Sequence, residues 1–255
     1  MPDLPDSGQP RAAPQIIAVA SGKGGVGKTW FAITLAQALA QEGARVLLFD
    51  GALGLANVDI QLGLAPAHDL SAVLSGRLSA ADAISTVPAA GFDVLPGRSG
   101  SGSIAGLAPA RLETLLAEVF RTDYDIILLD LGAGLDAGTR RMTASADTLL
   151  VVATDEPTSL TDAYAVLKLA AADRAAPGDA RLVVNQAATL AAGRRTFETL
   201  ARACQQFLGS QLPLAGIVRR DDHVRDAIRR QTPLLTRHPG CHAAEDVRGI
   251  ARGIL

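Results

Sequence analysis

Eight consecutive residues, Gly22-Lys23-Gly24-Gly25-Val26-Gly27-Lys28-Thr29, carry the clearest chemistry in this chain. Gly22, Gly27, Lys28 and Thr29 satisfy the spacing G-x-x-x-x-G-K-[ST]. Glycines so placed let backbone N–H groups converge on phosphate oxygens, and the N-terminus of a following helix adds partial positive charge. Lys28 is expected to reach the β- and γ-oxygens and Thr29 to offer a hydroxyl to Mg2+. Lysine is otherwise scarce: Lys23, Lys28 and Lys168 are the only three, and two of them sit in this loop. A compact ammonium makes a point contact with phosphate that a guanidinium fork does not. The expected ligands are ATP and Mg2+. A glycine turn holding an incidental Gly-Lys-Thr is the bland alternative.

Two carboxylates complete the set. Asp130 closes the apolar run Ile126–Leu129 and is expected to hold Mg2+ through water, with helix capping as its structural alternative. Asp50 closes Arg45–Phe49 and is expected to face the γ-phosphate or the attacking water, adding to the metal site. Lys28 and Asp50 are thus expected to act in catalysis.

These groups must be placed by the elements around them. Ile16–Ala20 reads as a buried strand leading into the loop, and Thr29–Glu42 as a helix with Phe31, Leu35, Ala38 and Leu39 on one side, ended by Gly43. Further strands are expected at Arg45–Asp50, Phe92–Pro96, Ile126–Asp130, Leu149–Thr154, Leu182–Asn185 and Gly216–Val218. Helical stretches lie between them, one of them from Pro109 to about Phe120, after a Gly/Ser-rich loop at Gly97–Gly106. Continuous apolar runs alternating with helices predict an α/β fold: a doubly wound, mostly parallel sheet in three αβα layers, of the phosphate-loop NTPase kind. Ligands on such sheets lie beyond the strands' C-terminal ends. Ser21, Asp50, Asp130, Asp155 and Asn185 all fall there. Residues 1–14 read as a disordered tail, and 15–255 as one domain.

Composition excludes several classes. The formal net charge is −2 over 255 residues, which demands neither a nucleic acid nor a membrane. The charge is uneven: residues 1–173 hold 11 basic and 19 acidic side chains, and residues 174–255 hold 13 basic, all Arg, and 7 acidic. Arg194, Arg195, Arg219, Arg220, Arg225, Arg229, Arg230 and Arg237 decorate solvated helix faces or form a partner-binding patch. Cys204 and Cys241 make no metal or redox motif, which reads as a reducing cytoplasm. No apolar run approaches the roughly 18 residues of a membrane span, and the N-terminus lacks a signal-peptide core. A soluble protein is expected.

A second lysine directly after the first glycine of the loop resembles the deviant phosphate loop, K-G-G-x-G-K-[ST], of the MinD/ParA class of ATPases. Two further segments make the chain similar to the FlhG/FleN (YlxH) branch of that class, whose members set flagellar number and placement. They are Gly54-Leu55-Ala56-Asn57-Val58-Asp59-Ile60-Gln61-Leu62-Gly63-Leu64 and Asp155-Glu156-Pro157-Thr158-Ser159-Leu160-Thr161-Asp162-Ala163-Tyr164. The similarity runs in outline from Ile16 to the end. It implies an ATP-hydrolysing switch that forms a homodimer when ATP-bound, with Lys23 crossing to the nucleotide of the opposing subunit. It implies that Asp50 to Asp59 act as switch I and Asp130–Gly134 as switch II. It further implies that Asn185 reads adenine and that Val218, Arg219 and Asp221 line the other side of the base, with Gly22 to Trp30 around the phosphates. The implied partners are the FlhF GTPase, a flagellar switch-complex protein or a transcriptional regulator, at the inner face of the cell membrane.

The chain departs from this pattern at several points. Where the family has Asp-x-Asp in switch I, this sequence reads Asp50-Gly51-Ala52. Loss of a water-positioning carboxylate is expected to slow hydrolysis by about 10²–10⁴-fold or leave it dependent on an activator. Trp30 replaces a small or polar residue, for packing or for a nucleotide contact. Arg219-Arg220-Asp221 replaces Pro-Tyr-Asp. The stripe Val247, Ile250, Ala251, Ile254 and Leu255 reads as the last core helix, membrane docking being the alternative. Met1–Gln15 has no recognisable form of the segment with which some members stimulate FlhF. Three other functions stay open: a ParA-type DNA or cargo segregation ATPase using the C-terminal arginines, an ATP-dependent amidase or ligase, and an ATP-binding module with little hydrolysis.

Overall fold

The computed structural model describes residues 13–52, 56–97, 107–173 and 178–255. Residues 1–12 of the expected tail, part of the switch I loop and most of the Gly97–Gly106 loop lie outside the described residues.

Strands β1 (Gln15–Ser21), β2 (Val46–Gly51), β3 (Ser85–Val87), β4 (Phe92–Leu95), β5 (Ile126–Ala133), β6 (Thr148–Ala153), β7 (Asp179–Ala187) and β8 (Leu214–Arg219) form one sheet in the order β3-β4-β2-β5-β1-β6-β7-β8. Every pairing is parallel except β3 with β4. The chain winds from β1 to one side through β2, β4 and β5, then to the other through β6, β7 and β8. The direction of winding therefore reverses at the C-terminal end of β1, where α/β sheets open a ligand crevice.

Side chains alternate along each strand, so one apolar run serves two cores. Ile17, Val19 and Leu48 point to one layer with α1 (Lys28–Gln41), α8 (Asp222–Arg229), α9 (Leu234–Arg237) and α10 (His242–Arg252). Ile16, Ala18, Leu47 and Phe49 point to the other, with α4 (Pro109–Val119), α5 (Ala137–Ala144), α6 (Pro157–Ala172) and α7 (Leu190–Leu208). Helix α1 is buried almost all round, from Lys28 to Leu39, because α10 and α9 cover the side the sheet does not. Gly43, at φ 99°, lets the chain leave it. Two short helices, α2 (Val58–Leu62) and α3 (Leu70–Leu74), connect β2 towards β3.

The seven expected strands are present, and the described residues hold an eighth. β3 is three residues long and pairs antiparallel with β4 along Ser85–Val87, too short to leave a periodic signal. The C-terminal stripe belongs to the core: Val247 and Ala251 are fully buried and Ile250 nearly so, packed on α1 and β8, while Leu255 lies exposed beyond α10. Among the described residues no helix is long and apolar enough to cross a membrane.

Candidate nucleotide site

The phosphate loop leaves β1 at Ser21 and enters α1 at Lys28, at the point where the winding reverses. Gly25 and Gly27 hold φ values of 82° and 85°, in the left-handed region that side chains avoid. A Cβ at Gly27 would also stand 2.5 Å from Asn185 Nδ2. The reason is a clamp: Asn185, buried at the end of β7, donates from Nδ2 to the Val26 carbonyl at 2.8 Å. Its Oδ1 accepts from Gln186 N at 2.9 Å. On the opposite flank a side chain at Gly22 would overlap the Asp162 backbone in α6. The loop is thus wedged between β7 and α6.

Below the loop, Lys28 Nζ donates to Asp130 Oδ1 at 3.0 Å, with both side chains buried. Asp130 Oδ2 is buried without a hydrogen-bond partner. Asp50 is the register partner of Asp130 on the neighbouring strand. Its Oδ1 accepts from Ala52 N at 3.3 Å, and its Oδ2 from Asn57 N and Val58 N, each at 3.1 Å. Burial, then the neighbouring Asp130 charge, pushes the Asp50 carboxyl up to about 7, against the pull of those N–H groups and Lys28. Two buried carboxylates therefore share one lysine, a site short of positive charge.

A cleft of ≈ 720 Å³ opens beside the loop, lined by Lys23 to Trp30, by Ala52, Asn57 and Gln61, by Leu107 and Leu112, by Gly132, Ala133 and Asp136 to Thr139, and by Ile228. Its volume suits a small-molecule ligand. Trp30 Nε1 and Gln61 Oε1, on residues lining it, are buried without partners. Left-handed glycines around a lysine, an unpartnered carboxylate oxygen and a deficit of cations fit a phosphate group with a divalent ion. Lys28 and the loop N–H groups would hold the phosphates, and Thr29 and Asp130 the Mg2+.

At the rim, Lys23 Nζ lies 2.5 Å from Glu156 Oε2 and donates to Thr158 Oγ1 at 2.9 Å. Glu156 is the N-cap residue of α6 but makes no side-chain cap bond, so its carboxylate is free to take Lys23. Pro157 at the first helical position fixes the turn. Ser159 Oγ accepts from Thr154 N at 3.0 Å, tying α6 to the end of β6.

The CobQ/CobB/MinD/ParA nucleotide binding domain matches residues 17–234. The chain belongs to this family. The antiactivator FleN of Pseudomonas aeruginosa is 36% identical over 242 residues, covering 94% of this chain and 86% of FleN. The flagellum site-determining protein YlxH of Helicobacter pylori is 28% identical over 244 residues, covering 94% of this chain and 81% of YlxH. Among solved structures, the cell division ATPase MinD of Pyrococcus furiosus superposes with a TM-score of 0.79 at 27% identity, over 94% of this chain and 98% of MinD.

Within this MinD/ParA fold the expected site residues divide into two sets. Lys28, Asp130 and Asp50 come together beneath the loop, the two carboxylates buried below the cleft rather than lining it, and Trp30 is a buried wall of the cleft. Asn185 abuts the loop through its amide. Val218, Arg219 and Asp221 do not line the cleft. Val218 is buried in the α1 layer. Arg219 is bound by Asp246 of α10, through its backbone N–H at 2.9 Å and its guanidinium at 2.9 and 2.8 Å. Asp221 caps α8, accepting from His223 N at 3.0 Å. Motif and spacing give no role to Glu156, Thr158 or Gln61. Glu156 and Thr158 fall in the Asp155–Tyr164 segment, one of the two that carry the flagellar resemblance, and they touch the loop through Lys23.

Proposed function

We propose that this MinD/ParA-family protein is an ATP-dependent dimerisation switch acting on flagellar number or placement. The observation that supports it best is Lys23, held at the rim of the cleft, half-exposed, by the Asp155–Tyr164 segment. In this reading Mg2+ would supply the positive charge that the two buried carboxylates lack, near the unpartnered Asp130 Oδ2. Lys28 holds the phosphates, Asn185 keeps the loop in its receiving conformation, and Asp50 carries the state of the site to Asn57 and Val58 through their N–H groups. Lys23 leaves Glu156 and Thr158 and crosses to the nucleotide of a second copy. The names of the FleN and YlxH relatives support the flagellar assignment.

Hydrolysis in this reading is slow. Ala52 lines the cleft with its methyl group, where the family pattern has a second carboxylate. Asp50, buried and bonded to three N–H groups, is poorly placed to take a proton from water. Size-exclusion chromatography with ATP, with ADP and with Lys23→Ala tests the switch: a dimer formed only with ATP and lost in Lys23→Ala is expected. A chain that stays monomeric with ATP, or a Lys23→Ala variant that still dimerises, refutes it. Single-turnover hydrolysis tests the clock, with Ala52→Asp expected to be faster by ~10²-fold or more.

A further inference from the structure

Away from the phosphate loop, three of the chain's four histidines and one of its two cysteines lie within residues 223–242. The fold brings two of these side chains to a single carboxylate. Asp221 closes the turn after β8, His223 stands in the first turn of α8, and Cys241 precedes α10. An Asp221 carboxylate oxygen, His223 Nδ1 and Cys241 Sγ all lie within 4.8 Å of one another. His223 Nδ1 is 2.7 Å from Asp221 Oδ1, and the Cys241 thiol hydrogen-bonds the same carboxylate.

We propose that Asp221, His223 and Cys241 form a binding site for a Zn2+-class divalent ion, with water in the fourth position. Oxygen, nitrogen and sulfur donors in one set suit a borderline-soft tetrahedral ion rather than Mg2+ or Ca2+. Ligand atoms about 2.0–2.3 Å from such an ion stand roughly 3.3–3.8 Å apart, and the spread from 2.7 Å to within 4.8 Å brackets that spacing. The adjustment falls on His223, whose side chain is 55% exposed and free to swing. Asp221 cannot move as far, since its side chain is 8% exposed and its Oδ2 also accepts from Ala243 N at 3.3 Å.

The surroundings serve the ligands. Burial pushes the Cys241 thiol up, and N–H groups of Ala243 and Ala244 at the start of α10 pull against that shift. The His238 ring packs 4.4 Å from that of His223, and its own Nε2 is 2.7 Å from Asp226 Oδ2, so the second imidazole is oriented by a carboxylate. Loading replaces the thiol proton, which is released to solvent, so affinity rises with pH. A bound ion ties the turn after β8 and the start of α8 to the start of α10. Capping alone explains Asp221, but not an imidazole and a thiol converging on it.

The test uses the full chain, stripped with chelator and held in excess Mg2+ without nucleotide, so that the oxygen ligands near Thr29 are covered. Co2+ is titrated as the probe and followed by absorption. One equivalent is expected to bind with a dissociation constant of ~10 µM or tighter, with a thiolate-to-Co2+ charge-transfer band that Zn2+ abolishes on displacement. Cys241→Ser should remove that band. His223→Gln, at an exposed position that does not threaten folding, should weaken binding at least ~100-fold. No charge-transfer band at millimolar Co2+, a band retained in Cys241→Ser, or unchanged affinity in His223→Gln would each overturn the site.

Discussion

The Lys23 ammonium, which the proposed switch sends to a second subunit, is already paired within its own chain to Glu156 Oε2 at 2.5 Å. The pair is a latch on the separate subunit, and its strength sets how much it opposes dimerisation. Both side chains are substantially exposed, at 38% and 61%, and exposed pairs are weak and screened by salt. Glu156→Gln is therefore expected to tighten the ATP-dependent dimer by less than about five-fold. The gain should shrink as salt rises, measured by sedimentation equilibrium. A hundred-fold change would mean that Glu156 itself contacts the second subunit.

The buried Lys28–Asp130 pair behaves differently. Asp130 is fully buried, and removing Lys28 leaves its charge uncompensated. Such losses cost about 3–5 kcal/mol. Lys28→Met is thus expected to lower the melting temperature of the nucleotide-free protein by on the order of 10 °C, besides weakening ATP binding. Adding Asp130→Asn should recover much of that stability without recovering binding. Thermal melts of both variants in chelator check this. An unchanged melt for Lys28→Met would overturn this account of the buried pair.

How much of this was legible in the sequence follows from the length scale of each signal. Strands such as Ile126–Leu129 announce themselves because a parallel strand buried on both faces must be apolar throughout. β3, α2 and α3 span three to five residues, less than a period that could be read. The phosphate loop was legible because its chemistry is local. The role of Asn185 as a clamp on Val26 was not, since that bond joins positions 159 apart. Arg219 likewise read as a cation near the site, but Asp246, 27 residues later, binds it to α10.

Asp50 gives the protein an unusual pH dependence. Its carboxyl stands at about 7 in the folded protein, raised by burial and by Asp130, against about 4 in the unfolded chain. Between those values the folded state binds more protons than the unfolded state. Stability from this group is therefore lost as pH rises from about 4 to 7, by up to ~1.4 kcal/mol per unit, and levels off above. Asp221 and Asp226, each lowered to about 2, act in the opposite sense only below about pH 4. Urea unfolding in chelator should show the nucleotide-free protein more stable at pH 5 than at pH 8. Asp50→Asn should flatten that difference, and a difference left intact would assign it to another group.

Trp30 is the chain's only tryptophan, so its fluorescence reports one place. It is 6% exposed and lines the cleft with Nε1 buried and unpartnered, so its emission should begin blue-shifted. Adding ATP with Mg2+ should change that emission, because a ligand filling the cleft alters the surroundings of the indole. Two opposed terms fix what Trp30→Phe does to stability. The smaller ring loses packing, while removal of an unsatisfied donor returns about 1–3 kcal/mol. The net change is expected to stay within ~1.5 kcal/mol, whereas Trp30→Ala, which only loses packing, should cost about 3–5 kcal/mol. A Trp30→Phe variant as damaged as Trp30→Ala would mean that the indole N–H has a partner in solution.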